Sequence, residues 1–322
     1  MKIAQIEALP GQKAFGFIKA TETHGGFDVH FPLHIVAGRR PGPTLLVVAG
    51  MSGLEIEPAL ILPQVVDEID PEALRGTLLV VPLFNTSGFE FEQVNAIWDD
   101  KALQRLGRGV ADGTVSEQLL HCFYEEVVRR ADAVIDIRTG ALWGYFRYAG
   151  VYAIGVEERG RAFAEALGLP HVVLGAPADG SYAWEAAAEG KAVVAAWIGG
   201  GPGLRDYRQE DMQRVRNAVV NGLRQLGMLD GGLECMDGPV MTVRGHTWVK
   251  LTGPRGLTFM AKGKRGQMVP AGEVIGYVKH PFTGDIVHEF RAERGGLMVH
   301  AGASWPIEPE DAILAILGDI VT

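Results

Sequence analysis

The feature that most constrains this chain is a repeated alternation between short apolar runs and longer amphipathic stretches. Runs of β-branched and apolar residues lie at 44–49, 77–81, 133–137, 152–154, 171–174 and 192–197. Such runs are typical of strands buried on both faces of a sheet that helices cover. Stretches that are apolar on one side, and so predict helices, lie between them at 57–69, 115–130, 159–168 and 207–227. Strands that alternate with helices predict a layered α/β fold.

Two of the predicted helices carry end signals. Thr114 or Ser116, placed just before Glu117, is a suitable N-cap for the helix that runs to residue 130. Arginines at 129 and 130 lie in its last turn, where the helix dipole favours cations. The helix that starts near residue 207 is predicted to end at Gly227.

The pattern changes after the glycines at 231 and 232. From about residue 241, short strands alternate with glycine-containing turns, which is typical of an all-β unit. These strands are predicted at 247–251, 256–260, 273–278, 285–292, 297–300 and 312–317. A chain of 322 residues is long enough for two domains. We therefore predict an α/β domain over 1–238 and a β-rich domain over 239–322.

Composition and charge exclude several classes of partner. The formal net charge is −9, and no cluster of Lys and Arg is present, so we expect neither a nucleic acid nor a membrane as partner. The first residues lack the basic start and apolar stretch of a signal peptide. Two widely separated cysteines, Cys122 and Cys235, provide neither a disulfide framework nor a Cys-rich zinc site. We expect a cytoplasmic protein.

The loop after the first apolar run reads Gly-Met-Ser-Gly-Leu-Glu over 50–55. With the ordered blocks at 31–38, 42–44, 81–89, 103–105, 136–140 and 199–201, it resembles the aspartoacylase and succinylglutamate desuccinylase family of zinc carboxypeptidase-like deacylases. The resemblance covers nearly the whole chain. It implies a mixed sheet flanked by helices, followed by a small all-β C-terminal domain similar to a lipoyl-type hammerhead.

The resemblance also implies a zinc site, but the matching positions have changed. A zinc hydrolase of this type needs three protein ligands and one open position, and the family supplies them as two histidines and a glutamate. The corresponding residues here are Ser52, Glu55 and Arg138. A guanidinium has no lone pair to offer a metal. We therefore expect no zinc and no other cofactor, and treat the three positions as vestigial.

The general base of the family has no acidic counterpart in this chain. The matching position, within one residue of register, is Trp197. Zinc lowers the pKa of its bound water from about 15.7 to about 7, which corresponds to on the order of 12 kcal/mol of nucleophile activation. Losing the base costs about a further 10²- to 10⁴-fold. The sequence shows no replacement, so no catalytic residue is assigned.

A carboxylate-binding pocket is the part of the site that the sequence retains. The family binds its substrate's carboxylate with an Asn-Arg pair, for which this chain has Gln104 and Arg105. Arg105 can make a bidentate contact to a carboxylate; the alternative is a solvated loop arginine. We assign substrate binding to Arg105, Arg138 and Asn85. Arg138 is further predicted to pair with Glu55, the alternative being a side chain turned to the surface.

Three other interpretations stay open at this point. A relocated metal site would use Glu55, Glu57, Asp136 and His121. Ser52 would act as a nucleophile only with a histidine base in reach. The aromatic residues at 143, 145, 146 and 148 either line the mouth of the pocket or belong to the core.

Two functions from different classes follow from these residues. The first is a degenerate family member, without zinc and without the usual hydrolysis, that binds a small carboxylate-bearing, acyl-amino-acid-like ligand or partners an active homologue. The alternative is an active hydrolase of N-acyl amino acids, with a rearranged metal site or a metal-free mechanism. Expected partners are a small carboxylate ligand and either a second copy of the chain or an active paralogue.

Overall fold

The computed structural model of this protein describes residues 1–140, 145–154, 157–200, 208–250, 256–260, 265–304 and 313–321. The helices are α1 (Glu57–Glu68), α2 (Thr86–Glu90), α3 (Val115–Glu126), α4 (Glu157–Ala166), α5 (Tyr182–Ala188) and α6 (Gln209–Gln225). The strands of the first part are β1 (Lys2–Ile3), β2 (Ile6–Glu7), β3 (Gln12–Glu22), β4 (Asp28–Ala37), β5 (Arg40–Ala49), β6 (Arg75–Val81), β7 (Ala133–Arg138), β8 (Phe146–Tyr152), β9 (His171–Ala176) and β10 (Ala192–Gly199). Those of the last part are β11 (Met241–Lys250), β12 (Leu257–Met260), β13 (Met268–Val269), β14 (Val274–Lys279), β15 (Ile286–Arg291), β16 (Gly296–Ala301), β17 (Ala303–Ser304) and β18 (Ile313–Ile320).

A mixed sheet of 12 strands forms the centre of the molecule, in the order β13-β16-β18-β11-β9-β8-β10-β7-β5-β6-β4-β3. The strands β6, β5, β7 and β10 run parallel, and β8 lies antiparallel to β10. A second sheet has the order β15-β14-β12-β17. The mixed sheet flanked by helices and the strand-rich C-terminal part confirm the predicted fold class.

Helices cover both faces of the central sheet, as β5 shows. Leu46 and Val48 belong to the core beneath α3 and α5, whereas Leu45 and Val47 belong to the core beneath α1, α4 and α6. Successive strand residues point to opposite faces, so a strand covered on both sides needs an unbroken apolar run. Burying each such side chain contributes about 1.5–3 kcal/mol.

The central sheet continues past residue 239. Strand β11 pairs with β9 in parallel, beginning at Met241 beside His171. A core cluster joins the two parts, because Phe146, Tyr148 and Val173 pack with side chains of β11, β16 and β18, including Ile316. The division at 238/239 stays a prediction, but the strands on its two sides share one hydrogen-bonded sheet.

Several predicted elements have shifted bounds. The strand predicted at 152–154 lies over Phe146–Tyr152 instead. Helix α3 begins after Thr114, whose N–H donates to Glu117 Oε2 at 2.7 Å. Helix α6 ends at Gln225, and Gly227 follows with a φ of +68°, in the left-handed region that ends many helices. Strands β3 and β4 were not recognised from the apolar runs.

Among the described residues, no helix is both long and apolar enough to cross a membrane.

Candidate functional site

The site begins with a tight loop at the end of β5. Gly50 has a φ of +66°, and a Cβ there would lie 2.6 Å from Leu83 Cδ1. Gly53 approaches the backbone of α2 so closely that a Cβ would lie 2.0 Å from the carbonyl carbon of Gly88. Only a residue without a Cβ fits there, so Gly53 lets the loop pack directly against the backbone of α2. Ser52 and Glu55, on either side of this close approach, both have 0% of their surface exposed.

Glu55 and Arg138 form a buried ion pair at the centre of the site. Arg138, the last residue of β7, donates its Nε–H to Glu55 Oε1 at 2.9 Å and to Oε2 at 3.2 Å. The side chain of Arg138 is 8% exposed. Two backbone N–H groups also donate to the carboxylate, from Ser52 at 3.2 Å and from Thr139 at 3.4 Å. The predicted pairing of Arg138 with Glu55 is confirmed.

Arg138 also contacts a second carboxylate and an aromatic ring. Its guanidinium carbon lies 5.2 Å from the ring centre of Trp197, which is beside it in the register of β7 and β10. One terminal nitrogen is 3.8 Å from Asp136 Oδ2. Burial opposes the charge on Arg138, but Glu55, Asp136 and Asp179 raise its pKa above the ordinary value. Arg138 is a permanent cation.

Two further carboxyl groups of the site have raised pKa values. Burial raises the pKa of Asp136 to about 7, although Arg138 and a hydrogen bond from the Tyr182 hydroxyl at 3.0 Å act in the opposite direction. Burial also raises the pKa of the half-buried Glu57. Glu57 Oε2 is enclosed and has no hydrogen-bond partner among the described residues. These two groups hold protons at a higher pH than ordinary carboxyls.

Arg105 lies at the rim of the site. It is exposed, and one terminal nitrogen donates to the backbone oxygen of Asp179 at 3.3 Å. The side chain of Asp179 accepts from the Tyr152 hydroxyl at 2.9 Å. Asp179 is also near enough to Arg138 to raise its pKa. The structure thus places Arg105 on the same side of the sheet as Arg138, and its contact with a substrate carboxylate stays a prediction.

Asn85 has a local role that the sequence did not indicate. It is the N-cap of α2, its Oδ1 accepting from the N–H of Gly88 at 2.8 Å, and it is 1% exposed. Its Nδ2 donates to the backbone oxygen of Val94 at 3.2 Å. Its predicted contact with substrate is untested.

The residues at the family's metal position do not fit zinc. Both oxygens of Glu55 accept hydrogen bonds, and Arg138 brings a positive charge rather than a lone pair. Within the part of the chain that the structure describes, no three His, Cys, Asp or Glu residues are grouped as metal ligands. The absence of a metal remains an expectation, here supported by the chemistry of the side chains.

The other sequence hypotheses have different outcomes. Ser52 Oγ accepts from the N–H of Leu54 at 3.3 Å, and no described histidine bonds to it, so Ser52 lacks the base of a nucleophile. Phe146 and Tyr148 are buried in a core cluster, whereas Tyr145 is half-buried. Trp143 lies outside the described residues.

Sequence reasoning missed Asp179, Tyr152 and Tyr182. The hydroxyls of these tyrosines donate to Asp179 and Asp136. Nothing in the local pattern distinguishes these tyrosines from core aromatics, because their partners are distant along the chain. A buried tyrosine normally finds a partner for its hydroxyl, which is the only signal available.

Comparisons with known proteins agree with this fold. Residues 41–226 match the family described as succinylglutamate desuccinylase/aspartoacylase catalytic domain. The chain is 26% identical over 305 residues to an N-alpha-acetyl-L-2,4-diaminobutyric acid deacetylase of Halomonas elongata, covering 91% of this chain and 86% of that protein. A succinylglutamate desuccinylase/aspartoacylase of Rhodobacter sphaeroides has a TM-score of 0.82 at 20% identity, with 96% of each chain covered. The product-bound ectoine utilization protein EutE of Ruegeria pomeroyi has a TM-score of 0.82 at 23% identity, with 98% of each chain covered.

Proposed function

This chain belongs to the succinylglutamate desuccinylase/aspartoacylase family, and we propose that it hydrolyses N-acyl amino acids without a metal at the Glu55 position. The observation that carries the proposal is the buried ion pair between Glu55 and Arg138. It fixes a positive charge where the family resemblance implies a metal cation. The similarity to a deacetylase over 91% of the chain supports the substrate class.

In the proposed reaction, Arg138 binds the acyl oxygen of the substrate. Its Nε is committed to Glu55, which leaves the terminal nitrogens to donate to the oxygen. Glu55 and the Trp197 ring hold the guanidinium, so little reorganisation is needed as negative charge develops on that oxygen. Removing one such donor from an enzyme typically costs about 10²- to 10³-fold in rate.

Glu57 is the proposed general base. It is half-buried, its pKa is raised by burial, and one of its oxygens has no partner in the described part of the chain. Glu57 takes a proton from the water that attacks the acyl carbon, and returns it to the amino nitrogen as the carbon–nitrogen bond breaks. The products are a carboxylic acid and a free amine, so atoms and protons balance.

The expected activity is slow. General base catalysis accelerates a reaction by about 10²- to 10⁴-fold. Even with a cationic donor, this stays well short of the zinc contribution, which is on the order of 12 kcal/mol of water activation. Esters have better leaving groups than amides. We therefore expect faster turnover of O-acyl than of N-acyl compounds.

A second candidate is binding of the same ligands without turnover, alone or as the non-catalytic partner of an active homologue. The specific observation that favours it is Trp197, a half-buried indole at the position where the resemblance implies the base. The indole neither accepts nor donates a proton usefully in hydrolysis.

One set of measurements separates these functions. Protein dialysed against chelator is assayed for amine release from N-acetyl and N-succinyl amino acids, and binding is measured by calorimetry. Metal-independent turnover that is lost in Glu57→Gln, but kept in the exposed Glu72→Gln control, supports the hydrolase. Binding without turnover supports the second candidate. Turnover that requires added zinc contradicts the metal-free mechanism, and the absence of both binding and turnover contradicts both functions.

A further inference from the structure

Three arginine side chains surround the ring of Tyr145. The guanidinium carbons of Arg208, Arg147 and Arg265 lie 4.4, 4.7 and 5.8 Å from the ring centre. They come from the start of α6, from β8 and from the segment before β13. We call Tyr145 and these three arginines the Tyr145 cluster. Guanidinium groups gathered on one ring create a region of positive potential.

The acidic residues near the cluster are shared with Arg214. Both oxygens of Asp237 accept from Arg214, at 2.7 and 2.8 Å. Asp211 Oδ1 accepts from Arg214 at 2.9 Å and from the Tyr145 hydroxyl at 2.6 Å. Arg147 is 3.8 Å from Asp237, a distance too long for a hydrogen bond. Arg147 is also 3.9 Å from Glu210, and Arg208 is 4.0 Å from the second oxygen of Asp211. These carboxylates therefore offset part of the charge of Arg147 and Arg208, and none of them pairs with Arg265.

Arg265 has no carboxylate partner among the described residues. One of its terminal nitrogens donates to the backbone oxygen of Ala301 at 2.8 Å. Its Nε is enclosed and has no acceptor within the described part of the structure. Burial lowers the pKa of Arg265, and the charge of Arg147 lowers it further. A half-buried guanidinium without a counterion is costly, and an anion would relieve that cost.

A buried histidine lies beside the same charge. His300, on β16, is 1% exposed and stacks on Phe146 with 3.9 Å between ring centres. Its Nε2 bonds to none of the residues that the structure describes. Burial lowers its pKa well below the ordinary value, and the charge of Arg265 acts in the same direction. His300 is thus neutral, and it adds no charge to the cluster.

The cluster adjoins the Glu55–Arg138 site through aromatic contacts. Phe146, next to Tyr145 in the chain, packs on Trp197 with 5.0 Å between ring centres, and Trp197 lies against Arg138. Arg138 is already neutralised by Glu55, so it is a poor carboxylate receptor. Arg265 has no carboxylate partner among the described residues and is the better one.

We propose that the Tyr145 cluster is an anion-binding subsite, with Arg265 as its main cation, that takes the α-carboxylate of the N-acyl amino acid. The identity of this ligand rests on the proposed function. The subsite takes over the role that the sequence assigned to Arg105. It also gives the C-terminal strands a direct part in substrate selection.

The test compares N-acetyl-L-2,4-diaminobutyrate with its α-carboxamide in calorimetric binding. A charge-assisted contact is worth about 1.5–3 kcal/mol, so wild-type protein should prefer the carboxylate by about 10- to 100-fold. Arg265→Met should lose that preference, and Arg265→Lys should keep part of it. Arg294→Met is the matched control, because Arg294 is exposed and pairs with Asp319. A preference that survives in Arg265→Met overturns the proposal.

If neither compound binds wild-type protein, that result counts against the proposed function alone. A second probe then tests the subsite by itself. Sodium acetate should then raise the melting temperature of wild-type protein and of Arg294→Met, but not that of Arg265→Met. Equal rises in all three proteins overturn the subsite. Circular dichroism verifies that each variant is folded.

Discussion

Replacing Arg138 by methionine is expected to destabilise the protein strongly. Glu55 is 0% exposed, and Arg138 is its only side-chain donor, at 2.9 and 3.2 Å, within the described structure. After the substitution the carboxylate keeps only backbone N–H groups, at 3.2 and 3.4 Å. Breaking a buried ion pair from one side typically costs about 3–5 kcal/mol. The stacking on Trp197 adds about 1–2 kcal/mol to that loss.

This cost is best measured as a coupling between the two residues. Urea unfolding gives the free energy of unfolding for wild-type protein, Arg138→Met, Glu55→Gln and the double variant. The double variant no longer buries an unpaired charge, so its loss should be smaller than the sum of the single losses by about 2 kcal/mol or more. Arg216→Met, which breaks a partly exposed pair with Glu68, should cost no more than about 1 kcal/mol. A loss below about 1 kcal/mol in Arg138→Met, or strict additivity in the cycle, would refute the reasoning.

Three further outcomes are expected. Ser52→His combined with Arg138→His recreates a His, Glu, His ligand set, and elemental analysis after zinc loading should find near one zinc per chain, against none for either single variant. Burial raises the pKa of Asp136 to about 7, well above the ordinary aspartate pKa of about 3.9, so the folded protein keeps a proton that the unfolded chain releases. The free energy of unfolding should therefore fall as pH rises toward 7, by on the order of 1.4 kcal/mol per pH unit, and Asp136→Asn should remove that slope in urea unfolding. Gly53→Ala forces its Cβ into backbone 2.0 Å away and should cost about 2 kcal/mol or more in melting experiments, whereas Gly232→Ala, with nothing within 4 Å of its Cβ, should be close to neutral.

The sequence predicted the structure best where the chemistry of a residue type determines what must contact it. The apolar run in β5 needed cover on both faces, and the structure provides it. Arg138 in a buried position needed an anion, and Glu55 is that anion. In both cases burial and pairing follow from the residue types alone.

The parts that the sequence did not predict depend on side chains or strands meeting across long distances. Strand β3 was missed because one of its faces is exposed, including Phe15 and Phe17, and its run is therefore not continuously apolar. Strand β8 was misplaced because Arg147 interrupts its apolar residues. The Tyr145 cluster collects side chains from separate parts of the chain, and no local spacing records that they meet.

The continuous central sheet makes the order of chain synthesis important. The ribosome releases β9 long before β11, its parallel neighbour, so β9 has an unpaired edge until the last quarter of the chain emerges. An open apolar edge is a template for pairing with other chains. A fragment that stops at residue 238 is therefore expected to aggregate, which light scattering would reveal. By covering the edge of β9, the C-terminal strands prevent it from pairing with other protein chains in the cell.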